Sequence, residues 1–445
     1  MLLKSLKIIL LVIFVSVTFK TSKAENLKDV LVDTFNNYPD ISKSKIELLN
    51  KKKDLSKSKT DFFPSIDLSM SQGRSITQSF PDTSNHNVNE LNPSTIDIDV
   101  SQPLGATKYL NLKSSENNLK AQEYSNKSVI QDILFRASKA YYSLLKERFL
   151  LDVALKNEQN LIQKFDATEK RFDFKDVTKT DVFQAKARLA EATSKRIEAE
   201  NNLEIAISEF IAVVGREPKI NWYSANGEPI TKSNPLDWSK FGKLPEIPIS
   251  LDESIKLAME KNPDLNKLKF ELKNTELDIK KSTLTFFPEF SISASYGRSL
   301  RSTRTINKKD TYELTADVTV PLFNKGHNFI DLEKSKNSAL AIQKSLESKK
   351  INLKHEIQSA WKKIESLKSS IKSLEVSVES NIVALEGVAK EAGVGTRTTL
   401  NILDAEKELT QAEANLVNSR FQLITSSFDL LKSCGLMTLN DLEAN

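Results

Sequence analysis

The chain has 445 residues, 39% of them hydrophobic and 28% charged, with a formal net charge of +5. Four lysines (Lys4, Lys7, Lys20 and Lys23) fall within residues 1–24, so the rest carries only +1, a balance that excludes a basic nucleic-acid-binding chain. Cys434 is the sole cysteine, which excludes a disulfide framework, and 11 glycines in this length, well under the usual ~7%, suit long uninterrupted helices.

At the start, Lys4 and Lys7 precede an apolar run from Ile8 to Val15, and Thr21-Ser22-Lys23-Ala24 follows. A charged head, a short apolar core and a small-residue cleavage site predict a secretory signal over 1–24. The run is too short to span a bilayer as a helix, which needs about 20 residues, and no later stretch is long and apolar enough. The mature chain is expected to begin near Glu25 and to be exported.

The remainder says the same thing twice. Pro39-Asp40, Phe62-Phe63-Pro64 and Gly73-Arg74-Ser75 recur as Pro263-Asp264, Phe286-Phe287-Pro288 and Gly297-Arg298-Ser299, at a constant offset of about 224 residues. A period this long marks a duplicated half-molecule. The expected repeats are 25–214 and 251–434, with a Pro- and Trp-bearing linker at 215–250 and a tail at 435–445. Each repeat reads as helix, strand, long loop, strand, very long helix, break, helix.

Strands are expected at about 65–74, 94–102, 289–299 and 311–321. Ile66, Leu68 and Met70 alternate with Ser65, Asp67 and Ser69, while Ile96, Ile98 and Val100 alternate with Asp97 and Asp99. Phe290, Ile292, Ala294 and Tyr296 alternate with serines, and Tyr312, Leu314, Ala316, Val318 and Val320 with Thr, Glu and Asp. Segments of about ten residues with one apolar and one polar face suit a tilted membrane strand. A soluble sheet with one face on a core alternates in the same way.

The helices separate these readings. Gly105 to Phe165 contains no proline, a rod of roughly 90 Å at 1.5 Å per residue. Leu144, Leu151, Leu155, Ile162 and Phe165 mark its seam. Ile357, Trp361, Ile364, Leu367, Ile371, Leu374, Val378, Ile382 and Leu385 mark the equivalent one, in coiled-coil steps of three and four. Such rods must pair with other long helices.

Four membrane strands cannot close a barrel, and open edges do not survive in lipid, so strands must be pooled between copies. Two copies give eight strands, a ring filled by side chains, and three give twelve, which leaves a pore. The carboxylates Asp67, Asp97, Asp99, Glu313 and Asp317 on the inner face argue for the larger ring and keep it wet. The expected fold is a mixed α and β membrane protein with a two-fold internal repeat. It forms a trimeric 12-stranded β-barrel, four strands per chain, continued by a long α-helical coiled-coil barrel.

FFP before a strand, Gln102-Pro103-Leu104 and Val320-Pro321-Leu322 after one, and the segment Gly395-Thr396-Arg397-Thr398-Thr399-Leu400-Asn401-Ile402-Leu403-Asp404-Ala405 resemble the TolC-type outer-membrane efflux proteins. The likeness covers essentially the whole mature chain. It implies an outer-membrane trimer of a Gram-negative bacterium that extends into the periplasm. Its partners would be a periplasmic adaptor and an inner-membrane transporter, ABC or proton-driven, and its surroundings outer-membrane lipid. The function so implied is a passive exit duct of a tripartite efflux pump or type I secretion system.

The same resemblance places the gate at the periplasmic tip. By position, Asn401 and Asp404 would line the entrance constriction, with an amide at 401 where the family usually has an acid. Arg397 would latch to a neighbouring helix near Thr180 and Asp181, while Ala392 stands where some members carry a network tyrosine. On spacing alone, Asn401, Asp404 and Glu408 are simply one solvated helix face.

His86, His327 and His355 are scattered and none has a second ligand at metal spacing, so neither a metal nor a cofactor is expected. No phosphate loop, nucleophile elbow or acid–base pair points to an enzyme. Arg298, Arg301, Arg304, Lys308 and Lys309 fall in the second outer loop, either solvated or against outer-leaflet phosphates. The rival reading is an exported coiled-coil structural or adhesion protein without a channel. The cargo and the particular transporter are not legible.

Overall fold

Proline and alternation set the course of each half. Pro39 and Pro263 occupy the first turns of α2 (Pro39–Thr60) and α6 (Pro263–Leu284), where a fixed φ and a missing N–H cost nothing. Each follows a short helix, α1 (Leu27–Asn37) or α5 (Leu251–Lys261). This computed structural model describes residues 27–79, 87–219, 244–303 and 305–438. The expected signal, His86, Arg304 and most of the linker and tail lie outside the described residues.

After FFP the chain turns extended. Strands β1 (Ser65–Gln72), β4 (Ser94–Leu104), β5 (Glu289–Leu300) and β6 (Lys308–Thr319) form one antiparallel sheet in the order β1-β4-β5-β6. The stretch expected as a long loop between the first two strands instead carries a ribbon, β2 (Ser75–Ser79) with β3 (Asn87–Leu91). Five-residue strands of mainly polar residues leave too short an alternation to be read. The Arg74–Glu90 ion pair, 2.5 Å, lies at its base.

The register separates the two faces. Ile66, Val100, Ala294 and Leu314 form one cross-strand row, and Leu68, Ile98, Tyr296 and Tyr312 the next on the same face. Asp67, Asp99, Ser295 and Glu313 form a row on the other face. Among the described residues no core covers either face: all of β1 is exposed, with Ile66 at 70%, and Leu314 on β6 is at 78%. Among the described residues, the edges β1 and β6 have no further strand beside them.

The helices are longer than expected. The first rod, α3 (Ala106–Asp173), has 68 residues, about 100 Å at 1.5 Å per residue, and packs against α4 (Lys179–Val214). In the second half α7 (His327–Gly393) packs against α8 (Thr399–Ser433). One core layer joins Tyr142 and Phe149 of α3 to Phe210 of α4 and Phe421 and Phe428 of α8. A second joins Leu353, Ile357, Ile364 and Val378 of α7 to Leu416 and Leu430 of α8.

The first seam shifts along its length. Leu144 and Leu151 are buried as expected, but Leu161 is buried while the expected Ile162 is exposed. A helix at 3.6 residues per turn drifts about 20° per heptad against a 3.5 repeat, so the buried stripe changes residue. No described helix is long and apolar enough to cross a membrane.

Candidate functional site

Each hairpin of long helices ends in a tight tip. At the first, Lys175 takes a left-handed φ of 61°; at its repeat equivalent, Gly395 has φ 83° and no Cβ to strain. Asp176 and Thr396 then return backbone N–H bonds to the carbonyls of Arg171 and Glu391. Ion pairs close both turns: Arg171–Asp176 at 2.9 Å in the first, Arg397–Glu391 at 2.8 Å in the second.

The two following helices start alike. The Thr178 N–H donates to Asp181 Oδ2 at 2.8 Å and its hydroxyl at 2.7 Å, while the Asp181 N–H donates to Thr178 Oγ1 at 3.3 Å, a complete capping box. At the equivalent place, Thr398 N–H and hydroxyl donate to Asn401 Oδ1 at 3.0 and 2.9 Å. Asn401 and Asp181 thus hold helix starts by the same contact. An amide satisfies the cap but forgoes the favourable charge of a carboxylate at a helix N-terminus.

The chain does not bring all the expected residues together. Arg397 uses Nε on Glu391, Thr180 is exposed in the first turn of α4, and among the described residues no hydrogen bond or ion pair joins Arg397 to Thr180 or Asp181. Asp404 instead accepts from Arg188 Nη2 of α4 at 2.9 Å. Arg188 Nη1 reaches Glu191 at 3.3 Å, and Lys195 and Lys407 flank Glu191 at 3.7 and 4.0 Å. Partial burial works against the Glu191 anion, but Arg188, Lys407 and Lys195 together hold it below the usual carboxylate value. Beneath this network, Leu161, Ala185, Ala192 and Leu403 form a small apolar cluster tying α3, α4 and α8.

Sequence reasoning missed Arg188 and Glu391, which look like any charged residue on a Lys/Glu-rich helix. It also missed Glu406 and Glu413, buried on α8 against α3 at 7% and 9% exposure. Thr410, one turn from Glu406, donates to Asn157 Oδ1 at 3.1 Å, and Lys164 stands 3.7 Å from Glu406. Burial raises the pKa of both glutamates, against the pull of Lys164 on Glu406 and Lys156 on Glu413.

A carboxyl whose folded value exceeds its unfolded value, about 4.3, supports the fold fully at acid pH and loses that support as pH rises through the folded value. Glu413→Gln is therefore expected to raise the thermal midpoint at pH 8 and to leave it nearly unchanged at pH 4. Equal midpoints for variant and wild type at pH 8 would show that Glu413 carries no desolvation cost.

A four-stranded sheet, uncovered among the described residues, stands on two helices of about 100 Å each, α3 and α7. The family described as outer membrane efflux protein matches residues 30–216 and 254–436, and the chain belongs to it. The outer membrane efflux protein BepC of Brucella suis is 22% identical over 430 residues, covering 96% of this chain and 88% of that protein. The alkaline protease secretion protein AprF of Pseudomonas aeruginosa is 23% identical, covering 64% of this chain and 58% of that protein. Among solved structures, the Campylobacter jejuni CmeC outer membrane channel superposes with a TM-score of 0.79 at 17% identity, over 92% of this chain and 86% of that one. The resemblance read from the FFP, QPL and GTRT segments is thereby borne out.

Proposed function

We propose that three copies pool their sheets into a 12-stranded barrel and their hairpins into a helical tunnel. The assembly is a passive exit duct that catalyses no reaction and needs no cofactor. The observation that carries this reading is the four-stranded sheet with bare faces and unpaired β1 and β6, since open edges are not tolerated in lipid and four strands cannot close.

The duct receives substrate from an inner-membrane transporter, ABC or proton-driven, through a periplasmic adaptor, in a tripartite efflux pump or a type I secretion system. Residues 1–24 are a cleaved signal, 25–214 and 251–434 the two structural units, 215–250 the linker between them and 435–445 a tail. The entrance is gated at the periplasmic tip, with Asn401 and Asp404 at the constriction. Arg397 latches to the neighbouring helix near Thr180 and Asp181 by leaving Glu391, its partner in this conformation.

A cysteine at Val394, strongly exposed at the tip and outside both the Thr178–Asp181 and Thr398–Asn401 capping boxes, tests this by cross-linking in living cells and mass spectrometry of the captured proteins. An adaptor captured with an ATP-driven transporter is the expected result for polypeptide secretion, and with a proton-driven exporter for small-molecule efflux. Capture of neither sinks the duct reading.

A further inference from the structure

We propose that Arg188 sets both the closure and the charge of the entrance, by clasping Asp404 across the two helical hairpins. This rests on the duct reading above. Helices α3 and α4 pack together, as do α7 and α8, and near the tip the two hairpins are joined by little besides the Leu161–Leu403 cluster and polar contacts. Among the described residues two ion pairs link α4 to α8, Arg188–Asp404 at 2.9 Å and Lys407–Glu191 at 4.0 Å. Only the first is at hydrogen-bonding distance.

The geometry suits a clasp. Asp404 lies five residues into α8, about 7 Å from its start, so the contact sits above the Thr398–Asn401 cap and the Arg397–Glu391 pair. Arg188 holds Asp404 with one terminal nitrogen and Glu191 of its own helix with the other, which fixes the direction of its planar fork. Separating the hairpins at the tip must break this contact.

The clasp also decides the field at the entrance. Carboxylates brought together around a pore axis favour cations. Here position 401 is an amide bound into its own helix cap, and the Asp404 carboxylate faces a guanidinium. With Arg188 in place, neither level presents a free negative charge, and the entrance is expected to select weakly between cations and anions. Arg188 acts through Asp404, as a positioning residue. Its side chain is 29% exposed and that of Asp404 52%, so both tolerate substitution without disturbing a core.

The test is single-channel recording of the full-length protein in planar bilayers under a potassium chloride gradient. Arg188→Gln should raise the open probability, by about two- to five-fold for each of the three ion pairs that the trimer loses. It should also move the reversal potential toward the potassium equilibrium value, because Asp404 is freed. Asp404→Asn should raise the open probability without that shift, and the exchange Arg188→Asp with Asp404→Arg should restore wild-type closure. If Arg188→Gln conducts and selects as wild type does, the clasp is refuted while the duct stands. If wild-type protein forms no channel, the duct reading fails and the clasp with it.

Discussion

Leu314→Arg is expected to destabilise the barrel by about 2–4 kcal/mol and to strip the protein from the outer-membrane fraction. Leu314 lies near the middle of β6 in the row Ile66, Val100, Ala294 and Leu314, and is 78% exposed with no protein over it. In a membrane wall that exposure faces hydrocarbon, where a guanidinium is costliest at mid-depth. Thr315, one residue on, points to the opposite face with Ser293 beside it. Thr315→Arg should therefore insert and fold close to wild type. Urea titration of each variant in lipid vesicles, with membrane fractionation of the cells, measures both. Equal tolerance of the two arginines would mean that the apolar face does not meet lipid.

The second large effect lies in the helices. Phe421→Ala should lower unfolding stability by about 3–5 kcal/mol, the usual range for deleting a buried aromatic side chain. Phe421 is 3% exposed on α8, with Tyr142 and Phe149 of α3 each 6.4 Å away between ring centres. Tyr142 in turn lies 5.7 Å from Phe428, so the four rings close one layer between the first and second halves. Burial alone pushes the Tyr142 phenol up to about 12, which marks how dry that layer is. Guanidinium denaturation of the purified protein, followed by circular dichroism, reads the loss, and Phe421→Leu should recover a good part of it. A midpoint unchanged by the alanine would show that the two halves are held elsewhere.

These elements were visible in the sequence to different degrees. The duplication, the prolines bracketing the strands and the alternation within them are local and strongly periodic, and they led to the sheet directly. The β2–β3 ribbon was not legible, because five-residue polar strands carry no period to detect. At the tip, resemblance pointed to Asn401 and Asp181, but what they bond to depends on a backbone turn: each oxygen caps its own helix. Arg188 meets Asp404 across 216 positions of sequence, a pairing set by how two hairpins lie together. No spacing rule reaches that far.

The place where β4 meets β5 has a consequence for assembly. β1 with β4 and β5 with β6 are equivalent hairpins, so the β4–β5 ladder joins two like units inside one polypeptide. The proposed twelve-stranded ring needs six such joints, and each chain makes one of them internally. Three chains then supply three covalently tethered joints, leaving only three that depend on encounter between molecules. A tethered partner meets its mate within one molecule, so the pairing of β4 with β5 does not depend on protein concentration. In the proposed trimer, duplication turns a six-body association into a three-body one, and the step that remains sensitive to protein abundance is the meeting of β6 with a neighbour's β1.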